Sequence, residues 1–174
     1  MNLYATHQRF LLRAALRTNG PILELGAGWY STPLLHEIAV FQCRYLLTQD
    51  NDPTWFKSIA SEFKGRYYHD VECPVDRKSW NRVNRWGMVF VDHGPRPEEP
   101  LNDKGLLNAL DRAQAVLDLV DRADVFVLHD TQTKVRWEYD WDKVLPLFKY
   151  RLDDTVHEAH TSIISNTIDV SQWN

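Results

Sequence analysis

The stretch Pro21-Ile22-Leu23-Glu24-Leu25-Gly26-Ala27-Gly28, followed at once by Trp29-Tyr30-Ser31-Thr32-Pro33-Leu34-Leu35, decides the reading of this chain. A short apolar strand enters a glycine-containing turn, and the turn opens a helix. Such a corner aims backbone N–H groups and a helix N-terminus at a ligand beside the carboxyl edge of a sheet. Pro33 suits an early helical position, where its missing N–H would lack a helical partner anyway. Thr32 is the expected N-cap. Gly26 and Gly28 let the backbone approach a ligand closely. The corner reads as a nucleotide-like binding site.

Working outward, helix-spaced runs alternate with short apolar strands. Residues 3–18 are expected to form a first helix, with Leu3, His7, Phe10 or Leu11, Ala14 and Leu16 along one stripe. Asn19-Gly20-Pro21 ends it. Strands are expected at about 22–26, 45–48, 66–69, 88–91 and 124–128, with a late pair at 148–152 and 161–165. Helices are expected at about 33–40, after Asp52 with Trp55, Phe56, Ile59, Ala60 and Phe63 inward, and along Leu106, Leu110, Ala113, Leu117 and Val120. This order predicts an α/β fold with a mostly parallel sheet covered on both faces. No repeat, low-complexity tract or linker divides the 174 residues, so a single domain is expected.

Composition narrows the partners. A formal charge of −4 and the absence of a basic tail weigh against nucleic acid as the partner. No apolar run reaches the roughly 18 residues of a membrane span. The start of the chain lacks a signal-peptide core, which makes a cytoplasmic location the expectation. Cys43 and Cys73 lack CxxC spacing and read as reduced, non-ligating thiols.

The strand ends gather the chemistry. Glu24 lies within the first strand, and Asp50-Asn51 closes the second. Asp92-His93 closes the fourth and His129-Asp130 the fifth. Open α/β sheets bind ligands at that edge, and a carboxylate at Asp50 suits a ribose diol.

Glu24-Leu25-Gly26-Ala27-Gly28, the acid in Thr48-Gln49-Asp50-Asn51, the element order and the late strand pair together resemble the class I S-adenosylmethionine-dependent methyltransferase superfamily. The resemblance spans approximately residues 20–168. It implies a Rossmann-like, seven-stranded sheet with an antiparallel last strand. S-adenosylmethionine would be the cofactor, held by Glu24, Gly26, Ala27, Gly28, Ser31, Thr32, Asp50 and Asn51. Asp92, His93, His129 and Asp130 would serve the reacting end, with His93 or His129 suited to taking a proton. Catechol-type members carry acidic metal ligands after the fourth and fifth strands, which Asp92 and Asp130 match. Thr131 stands where those enzymes have asparagine, so a divalent metal held by Asp92, His93, His129 and Asp130 is the lesser reading and no metal ligand is assigned.

Gly26-Ala27-Gly28-Trp29-Tyr30-Ser31 fails the dinucleotide fingerprint at its final glycine. The Asn/Asp-Pro-Pro-Tyr/Phe motif of amino-methylating nucleic-acid enzymes is missing. The expectation is methyl transfer to a small acceptor, favouring oxygen, with Trp137, Tyr139 and Trp141 either walling the pocket or packing on the core. The 94–100 loop reads as a lid or an irregular connection. A partner or second subunit is another way to complete the pocket. The alternative is a noncatalytic interaction domain whose Trp29-Tyr30 turn closes the corner.

Overall fold

The computed structural model describes residues 5–94, 110–134 and 138–173. Seven strands form one sheet: β1 (Ile22–Leu25), β2 (Leu46–Gln49), β3 (His69–Glu72), β4 (Trp86–Val91), β5 (Ala123–His129), β6 (Tyr150–Asp154) and β7 (Thr161–Ser165). Their spatial order is β3-β2-β1-β4-β5-β7-β6. All neighbours pair in parallel except β7, which runs antiparallel to both β5 and β6. Among the described residues the α-helices are α1 (Gln8–Arg17), α2 (Thr32–Phe41), α3 (Pro53–Ile59), α4 (Leu110–Leu119) and α5 (Trp141–Val144). Among the described residues, no helix is long and apolar enough to cross a membrane.

Strand alternation divides the core into two layers. Ile22, Leu46, Met88, Phe90, Val125, Val127 and Ile163 face α1 and α2, where they meet Phe10, Leu11, Leu35 and Ile38. Leu23, Leu25, Val89, Val91, Phe126 and Leu128 face the other way, against Val116 and Leu119 of α4 and Trp141 of α5. Continuous apolar strands buried on both faces are what a parallel sheet demands. The short turn after α1 holds its end against the sheet, with buried Arg44 donating to the carbonyls of Ala15 and Gly20.

Several expectations shift. β3 begins at His69, where the expected strand was 66–69, because Tyr67 adopts a left-handed backbone (φ 50°) and Arg66 instead bridges back to His69. β6 starts two residues later than expected, at Tyr150. Ser31 occupies the N-cap of α2 without a side-chain capping bond, so Thr32 is the first residue of the helix. Asp52 does cap α3, accepting from the N–H groups of Thr54 and Trp55. Trp55 lies outward, and so do Leu16 and Leu117. The helix 3–18 is observed from Gln8; of the last long helix Leu110–Leu119 is described. Residues 95–100, Leu106 and Trp137 lie outside the described residues.

Candidate functional site

The carboxyl ends of β1, β2, β4 and β5 converge as their chemistry requires. Gly26 turns with φ +103° directly against the chain after β4: a Cβ there would meet the Asp92 carbonyl carbon and the His93 nitrogen at 2.5 Å. Only glycine fits both that backbone and that approach. The Gly28 N–H donates to Thr32 Oγ1 at 3.0 Å, which folds the turn onto the start of α2.

Asp50 is buried beneath this turn. One carboxylate oxygen accepts the Ala27 N–H and the other the Asp52 N–H, both at 2.8 Å. Burial pushes its pKa up, with those two bonds and the nearby His93 working in the opposite direction. Trp55 Nε1 donates to the Ala27 carbonyl at 2.7 Å and lies across the turn. Asn51 ties two loops together, donating to the Gly94 carbonyl and accepting the Val75 N–H. Trp29 is 54% exposed, so its ring does not fill the corner.

Glu24 is fully buried on the α2 side of β1. Burial raises its pKa from 4.5 to about 7. Thr48 donates to Oε2 at 2.7 Å; the hydroxyls of Ser31 and Thr32 temper the rise without closing a bond of good geometry on Oε1. The Thr48 hydroxyl also meets His69 Nε2 at 2.8 Å, and His69 Nδ1 meets His36 Nδ1 at 3.1 Å. Burial lowers the pKa of both histidines, keeping them neutral near pH 7. A polar chain thus runs from β1 through β2 and β3 to α2. The sequence reading missed His36 and His69, whose partners are 33 and 21 residues away.

The raised Glu24 pKa has a thermodynamic sign. Above 4.5 the unfolded carboxyl ionises while the folded one keeps its proton until about pH 7. The stability Glu24 contributes is therefore fully present below pH 4.5 and lost as the pH rises to about 7, a change of about 3 kcal/mol. Glu24→Gln should remove this slope. Urea unfolding of both proteins between pH 5 and 8 tests it: a stability difference that does not vary with pH contradicts the burial argument.

At the reacting end, Asp92, His129 and Asp130 come together around a residue the sequence reading overlooked, Arg112 of α4. Its guanidinium lies 3.2 Å from Asp92 Oδ1 and 3.2 Å from Asp130 Oδ2. It also donates to the His93 and Asp92 carbonyls at 2.8 and 3.0 Å and stacks 4.2 Å from the Tyr139 ring centroid. His129 Nδ1 lies 3.1 Å from Asp92 and 3.6 Å from Asp130. Burial disfavours the charged forms, but their mutual attraction prevails: His129 is held above its ordinary pKa, and both carboxylates below theirs. His129 therefore brings a positive charge to the cluster rather than a free base. The carboxylates retain about a quarter of their side-chain exposure, leaving them reachable from outside.

The lesser reading, one metal held by Asp92, His93, His129 and Asp130, is not matched by their placement among the described residues. The Arg112 guanidinium bridges Asp92 and Asp130, and His93 is buried. The acid pair thus does not fit the catechol-type metal. Trp141 is fully buried and donates to the Asp130 carbonyl at 3.2 Å, so it packs on the core; Tyr139 covers Arg112. Asp130 itself sits in the left-handed region (φ 57°).

Solved structures share the overall fold over most of this chain. The O-methyltransferase TomG from Streptomyces achromogenes, solved with S-adenosylmethionine, is 19% identical with a TM-score of 0.59, over 91% of this chain and 78% of that one. The fold is that of the class I S-adenosylmethionine-dependent methyltransferases. Human methyltransferase-like protein 13, solved with S-adenosylhomocysteine, is 14% identical with a TM-score of 0.62, covering 93% and 82%. A Bacillus cereus O-methyltransferase, also with S-adenosylhomocysteine, is 12% identical with a TM-score of 0.60, covering 92% and 80%. No protein-family model and no curated protein sequence matches the chain.

Proposed function

We propose that the protein transfers a methyl group from S-adenosylmethionine to an oxygen of a small-molecule acceptor. The observation that carries this reading is the contact between the Gly26 turn and the chain at Asp92–His93, which sets a cofactor corner against a charged reacting end. Buried Glu24, with Oε1 lacking a well-formed bond, can give up its proton to pair with the cationic methionine part of the cofactor. Asp50 and Asn51 stand at the β2 end, where a ribose would lie. The structural neighbours solved with S-adenosylmethionine or S-adenosylhomocysteine support the same cofactor.

The cofactor supplies an electrophilic methyl carbon on its sulfonium. The residues of the chain bind it, orient the acceptor in line and exclude water. Asp92 would take the proton of an acceptor hydroxyl, and the His129 and Arg112 charges would stabilise the oxyanion so formed until its oxygen takes the methyl group. An oxygen acceptor fits this pairing of carboxylate and cations.

Label from methyl-tritiated cofactor, offered to small-metabolite, protein and RNA mixtures, tests the acceptor class. Label in the small-molecule fraction is expected; label confined to RNA or protein contradicts the reading. Once an acceptor is found, Asp92→Asn should lower kcat at least about tenfold with little change in cofactor affinity. Asp50→Asn should weaken cofactor binding about tenfold or more, through loss of a charged acceptor. Equal effects of the two substitutions on both quantities would remove this division of roles.

A further inference from the structure

Beyond methyl transfer, one residue at the carboxyl edge remains unaccounted for. His7, the residue before α1, is only 5% exposed, yet neither ring nitrogen has a hydrogen-bond partner. Its ring packs 5.2 Å from Phe90 and edge-on to His129 at 4.9 Å. Packing alone would be served better by an apolar ring, since an unsatisfied buried polar group costs about 1–3 kcal/mol. The nitrogens therefore call for a ligand.

Two further donors stand beside them. One ligand atom each from His7, Asp92 and His129 lies within 4.8 Å of the other two. His129 Nδ1 and Asp92 Oδ1 are 3.1 Å apart, and an ion held by both takes the place of the proton that gives His129 its charge. His129 Nε2 lies 3.5 Å from Thr6 Oγ1, a second contact that orients the ring and leaves Nδ1 for the ion. An ion on Asp92 Oδ1 replaces the Arg112 contact at 3.2 Å there, and Arg112 keeps its contact with Asp130.

We propose that His7, Asp92 and His129 bind a divalent transition-metal ion of the zinc class. Two imidazoles with one carboxylate suit Zn²⁺ or Co²⁺ and disfavour Mg²⁺, which prefers oxygen donors and bound water. Donors around one such ion lie roughly 3–4 Å apart, so the cluster closes modestly on binding. Three protein ligands leave a coordination position open, as in catalytic metal sites. A hydroxyl or carboxylate oxygen of the acceptor would fill that position. This last role rests on the proposed methyl transfer, whereas occupancy of the site does not.

The test uses the full chain without cofactor. The protein is treated with EDTA, titrated with Zn²⁺ or Co²⁺ in excess Mg²⁺, and its bound metal is measured by elemental analysis after gel filtration. One equivalent is expected, with the visible d–d absorption of Co²⁺ reporting nitrogen ligation. His7→Phe keeps a ring against Phe90 but removes both donors, and should lower affinity at least about tenfold while the metal-free protein unfolds at a similar temperature. If that variant folds poorly, Asp92→Asn supplies the second comparison. Wild-type protein that is folded but retains no Zn²⁺ or Co²⁺, or His7→Phe binding as tightly as wild type, overturns the site. Calorimetry with S-adenosylmethionine on the same metal-free sample reports separately on the cofactor corner.

Discussion

Arg112→Met should destabilise the protein by about 3–5 kcal/mol, the cost expected when one partner of a buried ion pair is removed. The guanidinium lies between Asp92 and Asp130 and satisfies two backbone carbonyls besides. Methionine fills comparable volume but leaves two carboxylates sharing only His129. The two carboxylates then repel in a partly desolvated site, and the His93 and Asp92 carbonyls lose their donor. Lysine is the informative control. Arg112→Lys keeps the charge without the planar fork, and so should recover only part of the loss. Urea unfolding of the three proteins measures this order. A methionine variant within about 1 kcal/mol of wild type would show that the cluster does not depend on its central cation.

Gly26→Ala should cost upwards of about 3 kcal/mol, from two independent sources. A positive φ of 103° disfavours any side chain, and the new Cβ would meet the backbone of Asp92 and His93 at 2.5 Å. Backbone cannot swing aside as a flexible side chain can, so the β1 turn and the β4 loop must separate. The same movement parts the proposed cofactor corner from the reacting end. Cofactor affinity should therefore fall even in whatever fraction remains folded. Equilibrium unfolding alongside calorimetry tests both effects. A variant of native stability and native affinity would refute the contact on which the functional reading rests.

Much of this architecture is legible in the sequence because parallel strands buried on both faces carry an unbroken apolar signal. Ala123–His129 and Thr161–Ser165 stand out for that reason. β3 is different. Its residues His69–Glu72 are largely polar because His69 meets Thr48, Glu72 meets Gln49, and Asp70 and Glu72 pair with Arg82. The aromatic run Tyr67-Tyr68 just before it imitates a strand while remaining exposed. Trp55 looks like a core residue by spacing but bonds to the Ala27 carbonyl through its indole N–H.

The site divides in the same way. Glu24, Asp50, Asp92 and Asp130 announce themselves because each falls at or near a strand end, where chain order alone implies proximity. Arg112 and His7 do not. Arg112 sits within an apolar helical stripe, and its carboxylate partners lie 20 and 18 residues away. His7 falls on the expected stripe of the first helix, a spacing that equally suits packing, and only three-dimensional placement reveals its unpartnered nitrogens. Residue type and periodicity carry no record of such long-range pairing.

Calorimetric titration of the folded wild-type chain with S-adenosylmethionine tests the central claim, that the Glu24–Gly28 turn and Asp50 form a cofactor site. A saturable isotherm with about one ligand per chain is expected, weakened by Asp50→Asn. Absence of heat and of any thermal stabilisation at millimolar ligand, in protein shown to be folded, would contradict it and leave the noncatalytic interaction domain as the reading of this fold.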